Sequence, residues 1–182
     1  MDTLGLVEVR GIAAGAELAD RMVKAAEVEL LRAATICSGR YLILVAGDRQ
    51  AVDTAVDAAR QSGRALSGAF VIAQISVQVL AALKKSFPAE KGDALAVLEY
   101  RTVAAGITAA DAAVKRAAVR VLRLVTGQGI NGKSYFVLGG DVASVTEAVD
   151  AATTAADAYL VEAVVIPRPD PQLVQALTSV VR

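Results

Sequence analysis

The chain contains two copies of one sequence pattern, so it is expected to fold into two copies of the same structural unit. Residues 4–10 (LGLVEVR) return as residues 95–101 (LAVLEYR), which lie 91 positions later. The spacing grows to 93 at the Gly-Asp pair, which occurs at 47–48 and again at 140–141. The second copy therefore carries a two-residue insertion, which falls in the loop that ends at Lys133. Repetition of this kind is the signature of a duplicated structural unit.

Each copy is predicted to form four strands and two helices in the order β-α-β-β-α-β. Strands are indicated by β-branched and alternating apolar residues, and helices by apolar residues spaced i, i+3 and i+4. The predicted strands are residues 4–9, 28–34, 41–46 and 70–73 in the first copy, and 95–100, 119–125, 134–138 and 161–166 in the second. Asp48 and Asp141 are predicted to cap the second helix of each copy.

This order of elements is typical of the split βαβ, ferredoxin-like fold, in which an antiparallel sheet carries both helices on one face. The predicted fold class is therefore α/β of the α+β kind, with two ferredoxin-like domains in tandem. The first domain is assigned to residues 1–86 and the second to residues 94–182. Residues 87–93 contain Pro, Gly and charged side chains without periodicity, which predicts a linker.

The composition argues against several classes of function. Lys plus Arg and Asp plus Glu both number 19, so no overall basic field exists to hold nucleic acid or an anionic membrane. Histidine is absent, which removes the commonest general base and metal ligand at neutral pH. Residues 65–83 are uncharged over the length of a membrane span, but Ser76 and Gln78 alternate there with Val77 and Val79. A strand and a short amphipathic segment fit this stretch better, and a cytoplasmic protein without a secretory signal is predicted.

Residues 127–134 (GQGINGKS) fit the phosphate-loop pattern G-x-x-x-x-G-K-[ST]. That motif binds phosphate only where the loop opens a helix, because the N–H groups of the helix N-terminus receive the phosphate. Residues 134–138 are aromatic and β-branched, which predicts a strand and not a helix. The segment is therefore predicted to be the loop of a hairpin, and a nucleotide-binding enzyme is the weakest of the alternatives.

Several shared features of the two copies resemble the bacterial microcompartment shell domain. They are an A-D-x-x-x-K helix with Asp20 and Lys24 in the first copy and Asp111 and Lys115 in the second, the repeated Gly-Asp pair, and the closing I-P-R-P at 166–169. Within that family the chain resembles the tandem-domain trimeric shell proteins of the propanediol-utilisation type. Residues 35–40 (TICSGR) and 129–133 (GINGK) carry this second likeness, although Ser38 stands where the family pattern has proline.

The resemblance implies a homotrimer whose six domains imitate a hexagonal tile in the shell of a cytoplasmic microcompartment. Tiles would meet one another and other shell proteins edge to edge. By the same resemblance Lys24 and Lys115 lie on the tile edges and Arg168 inserts across the edge contact, while Gln74 stands near the corresponding place in the first copy. From the sequence alone, a solvated helix position is the favoured interpretation of each lysine, because lone surface charges usually contribute little.

The single cysteine, Cys37, is the residue with the most chemistry. The resemblance implies that three chains each give this thiolate to one 4Fe-4S cluster in a central pore. Such clusters normally take four cysteines, so one iron would be left for another ligand. The alternative is a reduced, unmetallated thiol beside a pore. The residues assigned to the pore loops are Ile36, Cys37, Ser38, Gly39, Gly129, Ile130 and Asn131.

The predicted function is thus that of a structural shell protein and not of an enzyme, with electron transfer across the shell as the role of the cluster. An electron carrier or an encapsulated redox enzyme is expected as a further partner, and neither nucleic acid nor a membrane is. A second hypothesis is a small-ligand sensor, because duplicated ferredoxin-like folds also serve as binding modules.

Overall fold

The computed structural model describes residues 3–88 and 92–179. Each copy of the repeat contains four strands and two long helices, followed by a short helix that the sequence had not indicated as a separate element. In the first copy these elements are β1 (Thr3–Arg10), α1 (Ile12–Ala25), β2 (Glu29–Ile36), β3 (Arg40–Gly47), α2 (Arg49–Arg60), β4 (Leu66–Ile72) and α3 (Val77–Leu83). In the second they are β5 (Ala94–Tyr100), α4 (Val103–Arg116), β6 (Arg120–Thr126), β7 (Ser134–Gly140), α5 (Val142–Ala155), β8 (Leu160–Pro167) and α6 (Pro171–Thr178).

The strands form two four-stranded sheets of the same topology, with the orders β2-β3-β1-β4 and β6-β7-β5-β8. β1 pairs antiparallel with both β3 and β4, and β5 pairs antiparallel with both β7 and β8. Because β3 separates β1 from β2, the β1-α1-β2 connection is the split βαβ unit of the ferredoxin-like fold. The predicted fold class is confirmed.

The described residues divide into two compact units, each of which contains one of the sheets. The first unit consists of residues 3–75, 102–105 and 126–133, and the second of residues 76–88, 92–101, 106–125 and 134–179. The predicted linker 87–93 includes residues 89–91, which lie outside the described part of the chain. The domain boundaries at 86 and 94 therefore stay predictions.

In the first unit, α1 and α2 cover one face of the sheet. Val7 and Val9 alternate along β1 toward this face, and Leu18 and Met22 of α1 pack against them. Val56 of α2 joins the same fully buried cluster. Each such side chain stabilises the fold by roughly 1.5–3 kcal/mol relative to an exposed position.

Helix α1 lies unusually close to the sheet, and a glycine makes the approach possible. A methyl group at Gly15 would lie 2.5 Å from Cδ1 of Tyr41 and closer still to Cβ and Cγ of that residue. The matching glycine of α4, Gly106, faces Ser134 in the same way, with the side-chain Cβ of Ser134 at 2.9 Å from the added carbon. The repeated Ala-Ala-Gly of the two copies thus marks the point where each helix touches its sheet.

Two features differ from the sequence predictions. β4 begins at Leu66 and not at residue 70. The alternating residues 76–79 belong to helix α3, whose buried residues Val79 and Ala82 are three positions apart.

Helix α6 packs its Val174 against the second sheet. Within residues 3–88 and 92–179, no helix is long and apolar enough to cross a bilayer.

Candidate functional site

The predicted pore loops of the two copies lie side by side in the first unit. The backbone N–H of Gly129 donates to Sγ of Cys37 at 3.1 Å. Beside this contact, Oγ of Ser38 donates to Oδ1 of Asn131. Ile36, also assigned to these loops, is buried beneath them with 4% of its surface exposed. The structure therefore brings both predicted loop segments together, with the cysteine loop supported by the glycine-rich loop.

The turn of the first loop explains why small residues occupy it. Cys37–Gly39 form one turn of 3-10 helix, in which Ser38 and Gly39 have φ values of 65° and 67°. Left-handed backbone of this kind costs little for glycine and is tolerated by few other residues. Cys37 is half-buried and its thiol is reduced. The loop thus places a half-buried cysteine on a tight turn.

The second loop has the phosphate-loop sequence but not its structure. Gly127, Gly129 and Gly132 all have positive φ values, and a side chain at Gly132 would approach the carbonyl oxygen of Cys37 to 2.9 Å. The loop leads from β6 directly into β7, which begins at Ser134. No helix N-terminus follows to receive a phosphate, so the predicted hairpin is confirmed and the nucleotide-binding alternative loses its structural basis. The glycines serve tight turns and close packing against the cysteine loop.

A buried ion pair holds the two loops to the sheet. Glu8 of β1 is fully buried, and its Oε1 accepts from Nη1 of Arg40 at 2.9 Å. Arg40 also donates to the carbonyl oxygen of Gly132 at 3.3 Å, so one guanidinium joins β1, β3 and the second loop. The other carboxylate oxygen of Glu8 accepts the backbone N–H groups of Val103 at 2.8 Å and Ala104 at 3.3 Å.

Burial raises the pKa of Glu8, and the hydrogen bonds and charge of Arg40 together with the N–H groups of Ala104 and Val103 offset only part of this effect. The carboxylate is retained in the interior because every oxygen has a donor and a cation lies beside it. Glu8 was not among the residues predicted for the site. Its signal was a glutamate at the centre of an otherwise apolar strand, repeated as Glu99 in the second copy.

The residues predicted for tile edges lie at the ends of helices and strands. Lys24 pairs with Asp20 at 2.6 Å in the last turn of α1, and Lys115 pairs with Asp111 at the corresponding place in α4. Arg168 follows β8, has a φ of 48°, and donates its backbone N–H to the carbonyl of Asp93 at 2.9 Å.

Gln74 adopts a φ of 49° at the corresponding position after β4. The first copy thus has a glutamine on the same left-handed backbone that carries Arg168 in the second. No three His, Cys, Asp or Glu side chains within residues 3–88 and 92–179 lie close enough together to hold a metal ion. The assigned roles of the edge and loop residues stay predictions.

Comparison with known protein families and sequences shows where the similarity lies. The BMC domain family matches this chain twice, at residues 3–75 and 94–169. The bacterial microcompartment shell protein PduT of Citrobacter freundii is 39% identical over 169 residues, which cover 91% of this chain and 92% of that protein. The carboxysome shell protein CsoS1C of Halothiobacillus neapolitanus is 38% identical over 87 residues, or 46% of this chain and 89% of that protein.

The chain is also similar in structure to solved microcompartment proteins. A microcompartment protein from Desulfitobacterium hafniense DCB has a TM-score of 0.79 and 40% identity, and the match covers 95% of this chain and 98% of that one. A fused permuted hexameric shell protein from the RMM microcompartment has a TM-score of 0.60 and 26% identity, over 84% of this chain and 83% of that one. The similarity extends over both copies of the repeat and over both loops of the site.

Proposed function

Because the chain belongs to the BMC-domain family of bacterial microcompartment shell proteins, we propose that three copies of it form one pseudohexagonal tile of such a shell. Two BMC domains per chain give six domains in a ring of three chains. The observation that carries this proposal is the match of both repeats to one domain family, joined to a relative that is similar over nearly the whole chain. The role is structural, and no turnover is expected. Other shell proteins of the same compartment are its partners.

At the centre of the tile we place the loops that carry Cys37. Three chains would bring three of these thiolates around the ring axis, where they would hold one 4Fe-4S cluster. The half-buried cysteine and the tight turn that carries it fit a cluster ligand on a loop. When bound, the cluster supplies one-electron transfer, and its remaining iron takes a ligand from outside the three chains.

The loops that carry Cys37 and Gly129 also provide a hydrogen-bond donor to the sulfur that would bind the cluster. The N–H of Gly129 already donates to Sγ of Cys37, and hydrogen bonds to ligand sulfur are a principal means by which proteins tune cluster potentials. Arg40 fixes the second loop through the carbonyl of Gly132, and therefore fixes the position of that donor. The chain's own contribution is thus to position a sulfur and one N–H donor with a buried ion pair behind them. An electron carrier or an encapsulated redox enzyme would be the partner of this centre.

Anaerobic purification tests both levels of the proposal. We expect the mass of a trimer in solution, and about four iron and four sulfide per trimer, as one 4Fe-4S cluster requires. Cys37→Ser should remove the iron and the visible absorbance while the trimer persists. Ser38→Ala, a change on the same turn that leaves the sulfur in place, is the matched control and should retain iron.

These measurements distinguish failure of the proposed cluster from failure of the proposed tile. A trimer that takes up no iron after anaerobic reconstitution would leave a shell tile with a reduced thiol at its centre. A chain that stays monomeric and forms no sheets would refute the tile itself and would favour the small-ligand sensor.

A further inference from the structure

The chain has one asparagine, Asn131, and a glycine follows it in the loop between β6 and β7. An asparagine before glycine is chemically labile. The next backbone nitrogen can reach the side-chain amide carbon to close a five-membered ring, and a glycine has no Cβ to hinder the approach. Asn131 is exposed to solvent. The pair lies inside the segment that fits the phosphate-loop pattern without having its structure.

The backbone of the loop requires residues of this kind at both positions. Asn131 has a φ of 57°, in the left-handed region that asparagine enters more readily than most residues with a side chain. Gly132 has a φ of 75°, and a Cβ there would lie 2.9 Å from the carbonyl oxygen of Cys37. The residue after Asn131 therefore has to be glycine if the two loops are to pack as they do. The fold thus imposes the labile pair.

A residue of the other loop activates the side-chain carbonyl of Asn131. Oγ of Ser38 donates to Oδ1 of Asn131, although the two residues are 93 positions apart in sequence. Oδ1 is the oxygen on which negative charge develops when a nucleophile adds to Cγ. A donor at that oxygen stabilises the charge as an oxyanion-hole donor does. Ser38 lies on the left-handed turn of its loop, so the donor is in place before the reaction begins.

The nucleophile would be the backbone nitrogen of Gly132. Its N–H donates to the carbonyl oxygen of Gly127 at 3.3 Å, which is long for a hydrogen bond of this kind. The bond has to open before the nitrogen can attack, and this slows the reaction by at most about tenfold. The donor on Oδ1 accelerates the reaction by about tenfold or more, because hydrogen bonds to a charged group are stronger. The two effects offset each other, so the fold does not protect the amide.

We propose that Asn131 is a site of spontaneous deamidation in the folded chain, and that the hydroxyl group of Ser38 assists the reaction. The nitrogen of Gly132 forms a bond to Cγ of Asn131, and its proton passes through solvent to Nδ2. The bond between Cγ and Nδ2 breaks, which releases ammonia and leaves a succinimide ring. One water molecule then opens the ring. Opening at Cγ gives aspartate, and opening at the main-chain carbonyl carbon gives isoaspartate, in which the main chain runs through Cγ.

Either product changes the loops of the candidate site. Both add one negative charge to a chain in which Lys plus Arg and Asp plus Glu each number 19. Aspartate retains a side-chain oxygen that can accept from Ser38. Isoaspartate lengthens the main chain by one carbon directly before Gly132, whose carbonyl oxygen accepts from Arg40 at 3.3 Å. The modification would therefore record the age of each chain in the loop that packs against Cys37.

Incubation of the full-length native chain near neutral pH tests the proposal. Samples taken over time are digested at mildly acidic pH, which stops further deamidation, and the peptides are separated by chromatography and weighed by mass spectrometry. The peptide that contains Asn131 should gain the mass that accompanies replacement of an amino group by a hydroxyl group. It should also divide into an aspartate form and an isoaspartate form.

A synthetic peptide with the sequence of residues 127–134 is the reference for an unprotected pair. Because the two effects of the fold offset each other, the native chain should deamidate within about tenfold of the rate of this peptide. A native chain that reacts more slowly than that would show that the loops protect the amide, and would overturn the proposal.

Two variants distinguish activation by Ser38 from loosening of the loops. Ser38→Ala removes the donor to Oδ1 and should slow deamidation about tenfold. Gln128→Ala is the matched control, because it removes another contact between the same loops, from Nε2 to the carbonyl oxygen of Thr35 at 3.4 Å, and leaves Asn131 untouched. This control should deamidate at the native rate. Circular dichroism verifies that both variants are folded.

A Ser38→Ala chain that reacts as fast as the native chain, or faster, would refute the assigned role of the hydroxyl group. Asn131→Gln completes the set, because glutamine would have to close a larger ring, and it should stay intact over the same period. Mass gain that persists at this position in Asn131→Gln would contradict the assignment of the site. The readout is the covalent state of one side chain, so its failure would leave the proposed tile and cluster unaffected.

Discussion

Gly15→Ala should change the free energy of unfolding through two effects of opposite sign, and the surroundings of Gly15 determine which effect is larger. In an exposed helix, glycine is less favourable than alanine by about 1 kcal/mol, so propensity alone predicts that the variant is more stable. The added methyl group, however, would overlap Tyr41, with Cδ1 at 2.5 Å and Cβ and Cγ nearer. The Cβ of Tyr41 is attached to the backbone, so no rotamer change moves it out of the way. Relief requires a shift of α1 from the sheet.

The magnitude follows from these terms. Overpacking of a well-packed core costs about 1–3 kcal/mol, and an overlap with a fixed atom belongs at the upper end of that range. With the propensity gain of about 1 kcal/mol subtracted, we expect a net loss of about 2 kcal/mol. For a chain of this length that is a fall in Tm of about 4–8 °C.

Thermal unfolding followed by circular dichroism, at one fixed protein concentration because assembly adds stability, measures the change. Ala16→Gly in the same helix is the matched control, because Ala16 is exposed and its replacement reports propensity alone. It should cost about 1 kcal/mol. A Gly15→Ala chain that is as stable as the native one, or more stable, would refute the close approach of α1 to Tyr41.

Four further results are expected. Glu8→Ala should cost about 3–5 kcal/mol, because it removes the buried carboxylate that pairs with the charge of Arg40 and accepts from two backbone N–H groups, and a loss below 1 kcal/mol in a denaturant titration would contradict that pairing. Hydrogen bonds from the backbone and side chain of Ser144 lower the pKa of Asp141 below its usual 3.8. The ionised side chain therefore stabilises the fold above pH 3.8, and this stabilisation is lost as the pH falls through the lowered pKa. Asp141→Ala should lower Tm at pH 7, and the difference in Tm from the native chain should shrink on acidification. Mg-ATP should give no saturable calorimetric signal with the native chain, and a signal that Lys133→Ala abolishes would restore the phosphate-loop interpretation. Arg168→Ala should leave the trimer mass unchanged but abolish the extended sheets seen in electron micrographs. The corresponding change in the first copy, Gln74→Ala, should leave the sheets intact. Sheets that persist in both variants would exclude Arg168 from the edge contact.

Much of the fold was predictable because local pattern and global topology agree. The strands of each copy alternate or run apolar in short stretches, and their predicted order matches both sheets. The caps at Asp48 and Asp141 are also confirmed, since each side chain accepts from the backbone N–H three residues later. Helix α6 could have been predicted, because Asp170 followed by Pro171 is a typical helix start.

The candidate site was predictable only in part. A glycine-rich loop could be inferred from composition, but the contact between Cys37 and Gly129 joins residues 92 positions apart within the first unit and leaves no local sequence pattern. The ion pair of Glu8 and Arg40 was missed for a similar reason. A glutamate within an apolar strand indicates that a partner exists, and the sequence does not show that the partner includes the start of a helix in the other copy.

The unequal loops have a consequence for symmetry. A hexagonal tile built from six identical single domains would present six equivalent loops at its axis. In the proposed ring of three chains two kinds of loop would alternate, because the first carries the thiol of Cys37 and the second supplies the N–H of Gly129 that donates to it. The chemistry at the axis of such a ring would have three-fold symmetry, while the outline of the tile would keep six-fold symmetry. Duplication within one chain would thus allow the centre of the tile to diverge while its outer shape, which neighbouring tiles would require, is preserved.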